Sequence, residues 1–423
     1  MNIKKKDILE LKKRLKKDHC TFTKVCGCYV NGEKNTILKF RETFLNLDED
    51  DYFKYLEIAK KVLSGTVGNN ILELNFEINE ELKSEAQTFL LSLRNSQLKD
   101  DTVLDEFYQS IINNYDFTGN YLILLFHDAY DVITKTKDNQ KIDESEEVYE
   151  YVLCAICPVS LSAPGLRYFE EENEIKSRIR DWVVTPPVNG FVFPSFIDRS
   201  SDVNSVMYYT KNAKDTHPEL MENVLGCLSK QTATIQKETF QSIIKDSFGP
   251  DEKKAEKIFM DVQENLNAMV EEYNEMYDDT DSKPISLKET DIQSLLIDSG
   301  IPQEISSDIE KSYTEIFGDD IPLAENLIDT KILKANEQRR KEEDLKKQIK
   351  MLETKLEEVK EETAISSENE ENNDVDSEYD VVLQVKPEKV SQIKSEIIDG
   401  QKYLVIPIND DEHAKVNDLD DLI

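Results

Sequence analysis

Apolar residues recur at helical spacing in four segments of the N-terminal part of the chain, and each segment predicts a helix. Residues 3–17 place Ile8, Leu11 and Leu15 on one stripe among basic residues. Residues 48–65 begin with carboxylates, which the helix dipole favours in a first turn, and end at a glycine that can stop a helix. The other two segments are "LKSEAQTFLLSLR" (82–94) and "DDTVLDEFYQSIINNY" (100–115).

Strands are predicted where apolar residues follow one another without interruption. "NYLILLFH" (120–127) and "YEYVLCAICPVSL" (149–161) are bounded by polar turns, as are strands that are buried on both faces. "TFTKVCGCYVNGEKNTILKF" (21–40) predicts a hairpin, because Asn-Gly supplies the two positive-φ residues of a tight turn. "DWVVTPPVNGFVFPSF" (181–196) is too rich in proline for a regular central strand.

After residue 216 the pattern changes to short helices. Residues 232–249 and 286–302 each combine a Ser or Thr start, a helical apolar spacing and a glycine stop. Residues 331–362 predict a charged helix whose apolar residues are spaced by four and three in turn, which is a heptad seam. The seam is shorter than the roughly three to four heptads that indicate a coiled coil firmly. Its members are Leu345, Ile349, Leu352, Leu356 and Val359.

The C-terminal part combines an acidic segment with a small β-rich tail. Residues 366–380 contain seven acidic residues and no basic one, which predicts a disordered linker. "YDVVLQV" (379–385) predicts a strand, and Pro387 opens a turn or short helix. "SEIIDGQKYLVIPI" (395–408) predicts a hairpin on an Asp-Gly turn.

These elements predict an α+β protein in four parts. We expect a mixed α/β domain, a helical domain, a charged heptad helix with the acidic linker, and a β-rich C-terminal module. Their expected bounds are 1–216, 217–330, 331–377 and 378–423.

The charge balance argues against some classes of partner. The chain has 52 Lys and Arg against 87 Asp and Glu, for a formal net charge of −35. Such an acidic chain repels phosphate backbones and anionic lipid surfaces, so we expect no nucleic-acid or membrane partner. The apolar runs are too short to span a bilayer, and the Lys-rich N-terminus lacks the apolar core of a secretory signal. We therefore expect a cytoplasmic protein.

Two pairs of cysteines raise the alternative of a metal site. Cys26, Cys28, Cys154 and Cys157 could supply the four thiolates of a zinc module. Residues two apart in a strand share a face, whereas residues three apart point to opposite faces. Cys154 and Cys157 therefore cannot face one metal unless the backbone turns sharply between them. We favour buried core cysteines and predict no cofactor, with the metal site as the alternative.

Arginines and aspartates flank the proline-rich stretch and are the candidate ligand-binding residues. Paired carboxylates with arginines could bind a phosphorylated or cationic ligand, or perform acid–base chemistry. The alternative is a network of ion pairs and turn caps that holds an irregular loop, because Asp and Ser commonly cap turns. The candidates are Arg178, Arg180, Asp181, Asp198, Arg199 and Asp202.

His127 is a weaker catalytic candidate at the end of an apolar strand. It could act as a base, but the sequence assigns no serine or cysteine to it as a nucleophile. "LSGTVGNN" contains glycines but lacks the Lys-Ser/Thr pair that holds phosphates, and no dinucleotide fingerprint is found.

Several long segments are similar in sequence to a known protein family. They include "CTFTKVCGCYVNGEK", "SQLKDDTVLDEFY", "NYLILLFHDAYDV", "YEYVLCAICPVSLS", "IRDWVVTPPVNGFVFPSFIDRSSD", "VVLQVKPEKV" and "KVNDLDDLI". Together they resemble a family of low-GC Gram-positive bacteria that is described only as a domain of unknown function. The resemblance covers nearly the whole chain except roughly 331–377, which implies that the charged helix is an insertion. It implies no activity, cofactor or catalytic residue.

The modular layout favours a non-enzymatic binding or adaptor protein, because a linker separates a small tail from the body. We expect the partners to be proteins. A second copy of the chain could be one of them, in a weak homodimer through residues 345–359. The alternative is an enzyme, such as a hydrolase, with a site near Arg180, Asp181, Asp198 and Arg199.

Overall fold

The structure is a computed structural model of the 423-residue chain. It describes residues 3–77, 84–132, 147–249, 251–276, 284–318, 320–367, 390–398 and 401–407. The chain divides into two compact units, Met1–Arg340 and Lys341–Ile423.

An antiparallel sheet forms the centre of the first unit. The described strands are β1 Lys24–Val30, β2 Thr36–Thr43, β3 Ile71–Asn75, β4 Asn120–Val132, β5 Glu147–Leu161, β6 Leu166–Phe169, β7 Glu174–Ser177, β8 Trp182–Val184, β9 Asn189–Phe193, β10 Ser195–Ile197, β11 Ser200–Asp202, β12 Ser205–Thr210, β13 Lys394–Ile398 and β14 Gln401–Val405. In the described part of the chain the sheet has eight strands, in the order β2-β1-β4-β5-β9-β12-β3, and β8 pairs with the end of β5. Three short strand pairs lie outside it: β6 with β7, β10 with β11, and β13 with β14.

Helices cover both faces of the sheet. α1 (Lys5–Arg14) and α2 (Glu49–Val62) pack on one face, where their apolar residues join the alternate residues of β4 and β5. α3 (Glu85–Asn95) and α4 (Asp101–Asn114) pack on the other face, together with a π-helical turn at Leu220–Val224. Because β4 and β5 are covered on both faces, most of their positions are apolar. The predicted α+β fold class is confirmed.

A separate helical core follows the sheet in the chain. Phe240, Phe259, Leu266, Leu296 and other apolar side chains are buried together there, which explains the helical spacing after residue 216. The boundaries predicted at 216 and 330 fall inside the first unit and stay a prediction. The helices are α5 Ala233–Asp246, α6 Glu252–Met276, α7 Glu289–Asp298, α8 Gln303–Phe317, α9 Ala324–Leu327 and α10 Thr330–Ser367.

The predicted charged helix and tail hairpin are both present. α10 contains the whole heptad segment, and the boundary between the two units lies within it. β13 and β14 pair antiparallel, as the Asp-Gly signal predicted. The predicted strand 379–385, Pro387 and most of the acidic linker lie outside the described residues.

The turn between β1 and β2 differs from the predicted Asn-Gly turn. Asn31 accepts hydrogen bonds at its side-chain oxygen from the N–H groups of Glu33 (3.1 Å) and Asn35 (2.9 Å), and these bonds organise a longer loop. The residue with positive φ is Lys34 (φ 64°) rather than Asn31 or Gly32. The asparagine side chain therefore replaced the two-residue turn with an Asx-type loop.

The proline-rich stretch contains a central strand, so its exclusion was wrong. β9 lies between β5 and β12, and all five of its residues are buried. Pro186 and Pro187 precede the strand, and Pro194 follows it, so no ladder hydrogen bond within β9 is lost. The exclusion of proline from central strands applies to positions inside a strand, and here the prolines lie before and after β9.

The predicted helix signals hold at α5 and differ at α7. The Thr232 hydroxyl oxygen accepts a hydrogen bond from the Ile235 N–H (3.2 Å) and caps α5, as predicted. At α7 the capping position is Lys288 rather than a serine, and its N–H donates to the Asp291 carboxylate (3.0 Å). A carboxylate three residues into the helix therefore supplies the cap there.

Gly190 allows β9 to pass close to β5. A Cβ atom at Gly190 would lie well inside van der Waals contact with the Cys154 carbonyl oxygen and 3.1 Å from Val62 Cγ2. A paired backbone carbonyl cannot move aside as a flexible side chain can. We therefore expect Gly190→Ala to lower the free energy of unfolding by about 2 kcal/mol or more, measured by urea denaturation.

Gly165→Ala is the matched control, because no atom lies within 4 Å of the Cβ that this change would add. We expect its unfolding midpoint to stay close to that of the unmodified chain. Equal midpoints for the two variants would contradict the close approach of β9 and β5.

Candidate functional site

Arg178, Arg180 and Asp181 lie beside the end of β5. Arg178 lies 3.7 Å from the Asp181 carboxylate, measured from Nη2 to Oδ2. Arg180 donates from Nε to the Ser162 carbonyl (2.8 Å), and the Asp181 N–H donates to the Ser162 hydroxyl (3.1 Å). These contacts hold the segment between β7 and β8 beside Ser162.

The other three candidates belong to the β10–β11 hairpin. Asp198 and Arg199 are its two turn residues, and both have positive φ, 48° and 67°. The Asp198 carboxylate pairs with Lys6 of α1 (2.6 Å), and this hydrogen bond lowers the pKa of Asp198. Arg199 pairs with Glu10 (3.2 Å). Asp202 accepts from the Ser205 hydroxyl (2.7 Å). The hairpin is thereby docked on α1.

The structure does not bring the six candidates together. Ser162 follows the last residue of β5, whereas the β10–β11 hairpin lies at the other end, where Tyr149 donates to the Pro194 carbonyl (2.6 Å). The strand between Tyr149 and Leu161 is roughly 40 Å long at the usual rise per residue. The contacts described are turn and ion-pair contacts at partly exposed positions, where such pairs add little stability.

The four cysteines of the alternative metal site do not converge. Cys26, Cys28 and Cys154 face the core under α3 and α4, whereas Cys157 faces the opposite core. Leu125 of β4 lies between Cys26 and Cys154 in the sheet register, which separates the two by roughly 9–10 Å. A zinc ion needs each sulfur at about 2.3 Å.

The thiols are also held in their neutral form. Burial raises the pKa of Cys26 to about 11 and that of Cys157 to about 12. Metal ligation and nucleophilic attack both require the thiolate. Within the described ranges, no group of three or more His, Cys, Asp and Glu side chains is arranged to hold a metal ion.

His127 is buried with both ring nitrogens occupied. Its Nδ1 lies 2.8 Å from the Thr23 hydroxyl, and its Nε2 lies 2.9 Å from a Glu150 carboxylate oxygen. The ring is 1% exposed. The hydroxyl beside the ring belongs to Thr23, which is more than 100 positions away and which no sequence signal connected to His127. The arrangement is that of a buried histidine with all its hydrogen bonds satisfied.

The heptad seam of α10 is exposed along its described length. Leu345, Ile349, Leu352 and Leu356 are 57%, 53%, 65% and 56% exposed. Four large apolar side chains on one stripe of a helix are unusual without a covering surface. This seam is the candidate protein-binding surface.

The tail hairpin offers a less continuous apolar surface than the seam. Directly paired residues share a face: Ile397 pairs with Lys402 on one face, and Ile398 pairs with Gln401 on the other. Both faces of the hairpin therefore mix apolar with polar side chains.

A cleft that the sequence did not predict lies beside β3 in the first unit. Glu73 of β3, Lys230 and Gln231 before α5, and Asp320 before α9 line it. Glu73 and Lys230 are 157 positions apart, and Asp320 is 90 positions further on. No local motif could connect three residues so far apart in the chain.

Comparison with known proteins gives the family. Residues 1–419 match the family described as "Domain of unknown function (DUF4317)". The chain belongs to this family. A search of curated proteins finds no significant match. Among the described helices, none combines the length and apolar character that crossing a membrane requires.

The buried thiols of this DUF4317 protein lead to a prediction about their reactivity. Five of the six cysteines are buried, and Cys20 is partly buried. Because burial also raises the pKa of Cys20 to about 11, we expect the native protein to react slowly with a thiol reagent at pH 8. In denaturant all six should react quickly. The measurement is the time course of reagent absorbance in native and unfolded protein.

Cys20→Ser is the control, since it should remove the first thiol to react in the native state. Rapid labelling of two or more thiols in the folded Cys20→Ser variant would contradict the burial of the core cysteines.

Proposed function

We propose that this DUF4317 protein is a non-enzymatic binding or adaptor protein that acts in the cytoplasm through protein partners. The observation that carries this proposal is the exposed seam of Leu345, Ile349, Leu352 and Leu356 on α10. Burial of such a stripe against another helix removes apolar surface from water, which drives association.

The occupant we propose for the seam is a second copy of the chain. A heptad places the residues that flank its seam close to those of the partner helix. In a parallel pair, Lys341 of one copy would meet Lys346 of the other, and two like charges oppose pairing. In an antiparallel pair, Ile349 would pack against Leu352 of the second copy. Lys346 of each copy would then lie close to Glu353 of the other, so this pair of opposite charges would form twice in the dimer. Charge complementarity therefore favours the antiparallel dimer.

The state of the cysteines supports a reducing compartment. All six are free thiols, and such thiols persist where glutathione and thioredoxin keep proteins reduced. No cofactor is part of the proposal. The enzyme alternative near Arg180, Asp181, Asp198 and Arg199 is not proposed, because those residues contact different elements.

Leu352→Lys tests the seam directly. A charge in the centre of the proposed contact would have to be buried without a partner, so we expect the dimer to dissociate. The measurement is sedimentation equilibrium over a range of concentrations. The unmodified chain should rise from 48.9 kDa towards twice that mass, and the variant should stay monomeric.

Thr354→Lys is the matched control, because it adds the same charge to an exposed position of α10 that lies off the seam. We expect it to dimerise like the unmodified chain. A strictly monomeric unmodified chain, or equal association of the two Lys variants, would rule out the seam as a dimer contact.

A charge exchange tests the orientation. In the antiparallel dimer Lys346→Glu would place a second carboxylate next to Glu353 of the other copy, so we expect weaker association. Lys346→Glu combined with Glu353→Lys should restore it. In a parallel dimer Lys346→Glu would instead relieve the contact with Lys341 and strengthen association. Sedimentation equilibrium of the three proteins distinguishes these outcomes, and a stronger Lys346→Glu dimer would overturn the antiparallel arrangement.

A further inference from the structure

The sheet narrows to two strands at the end of β5, and β8 is one of them. The ladder between β4 and β5 ends where Asn120 lies opposite Val159, whereas β8 continues along the other edge of β5, with Trp182 opposite Leu161. Within the described part of the chain, Ser160 and Leu161 therefore pair with β8 alone. A ribbon of two strands is only marginally stable in water, and a third strand would support it.

One edge of β8 carries backbone groups that β5 does not use. The Asp181 carbonyl accepts from the N–H of the residue after β5, and the Thr185 N–H donates to a β5 carbonyl, both at 2.8 Å. Successive residues of an antiparallel strand point these groups to alternate sides, so Val183 also faces β5 while Trp182 and Val184 face away. Among the described residues, none bonds to the N–H or C=O group of Trp182 or Val184 on that side.

No described strand continues the row of β12 alongside β8. β9 follows β8 along the same edge of β5, and its other edge pairs with β12 as far as Thr210 opposite Asn189. The Lys211 N–H then donates to the Val188 carbonyl (2.8 Å), and the pairing ends there. A strand added to the free edge of β8 would lie in line with β12.

The side chains of β8 are apolar and exposed. Trp182, Val183 and Val184 are 56%, 43% and 40% exposed. Leu161, which lies opposite Trp182, adds apolar surface to the same face. Natural proteins usually protect a free sheet edge with charges, proline or a covering segment, and the three residues of β8 provide none of these. Both faces of β8 can therefore pack against the alternate side chains of an added strand.

Two cations flank the free edge. Arg180 precedes β8 and donates from Nε to the Ser162 carbonyl (2.8 Å), and Lys211 is exposed at the end of β12. Among the ion pairs of the described residues, none within 4.0 Å joins either cation to a carboxylate. Arg178 and Asp181 pair with each other (3.7 Å). In a chain of net charge −35, this edge is complementary to a segment that carries carboxylates.

We propose that the free edge of β8 binds an extended acidic segment of a partner protein by strand addition. The segment pairs its backbone with Trp182 and Val184 and packs apolar side chains on β8. Its carboxylates lie near Arg180 and Lys211. Main-chain hydrogen bonds supply affinity in this mode, and side chains supply selectivity. The site goes beyond the proposed dimer and does not rest on the α10 seam.

The fluorescence of Trp182 reports on this site, because the chain has one tryptophan. The probe is a nine-residue peptide with valine at the third, fifth and seventh positions, threonine between them and two glutamates at each end. Titration into the full chain should shift the emission to shorter wavelength and saturate, since the added strand removes the indole from water. Binding elsewhere would not move this emission. A spectrum that stays unchanged would overturn the proposal.

Two altered peptides test the mode of binding. One has lysine in place of the four glutamates and should bind at least about tenfold more weakly, because it meets two cations. The other has proline at the central valine and at the threonine after it. Neighbouring residues point their N–H groups to opposite edges, so one of these changes removes a donor towards β8, and we expect no shift. Equal binding of the lysine peptide, or of the proline peptide, would overturn acidic strand addition.

Val184→Pro tests the backbone contact from the side of the protein. The Val184 N–H faces the added strand rather than β5, so the change removes a donor to the partner and leaves the β5 ladder intact. We expect the emission shift to be lost. Val184→Thr keeps the N–H and a β-branched side chain, and its affinity should stay within about threefold of that of the unmodified chain. Equal affinities of the two variants would contradict pairing at Val184.

Arg180→Glu combined with Lys211→Glu tests the charge. Each change turns an attraction into a repulsion, so the glutamate peptide should bind at least about tenfold more weakly and the lysine peptide more tightly. Lys253→Glu with Lys311→Glu is the matched control, because it changes the net charge equally at exposed positions of α6 and α8. Thermal unfolding shows which variants are folded, and this pair decides if Val184→Pro is not. Equal effects of the two double variants would overturn the site.

Discussion

The antiparallel pairing of β4 with β5 is the contact on which the first unit depends. The strands pair without interruption from Asn120 opposite Val159 to Val132 opposite Glu147. β1 pairs with the other edge of β4, and β9 and β8 pair with the other edge of β5. Backbone amides and carbonyls inside a core need hydrogen-bond partners, and a ladder of this length supplies them. The helices can then cover both faces.

This constraint also explains which polar residues are tolerated inside the sheet. His127 and Asp128 are adjacent in β4, so they point to opposite cores, and each finds partners there. Asp128 accepts from the Tyr151 hydroxyl (2.8 Å) and the Thr21 hydroxyl (2.6 Å). Buried polar groups with all their bonds made can hold neighbouring segments in place. Here they join the segment before β1 to β4 and β5.

The features that could be predicted from the sequence are those set by one local pattern. Continuous apolar runs predicted β4 and β5, and a heptad predicted the α10 seam because its members necessarily share a face. Errors arose where a second local effect acted, as at Asn31, whose side chain hydrogen-bonds to its own loop. Groupings of residues that are distant in the chain could not be predicted, because the fold decides which of them meet. Arg178 and Asp202 are close in sequence and lie at two ends of β5, whereas Glu73 and Asp320 are distant in sequence and line one cleft.

Two physical interactions act in the proposed α10 contact, and salt separates them. Association through the seam removes apolar surface from water, and excluded salts such as sulfate strengthen that effect. The charges that flank the seam set the orientation of the helices more than their affinity, and added salt screens them. High salt therefore favours association while it weakens the preference for one orientation.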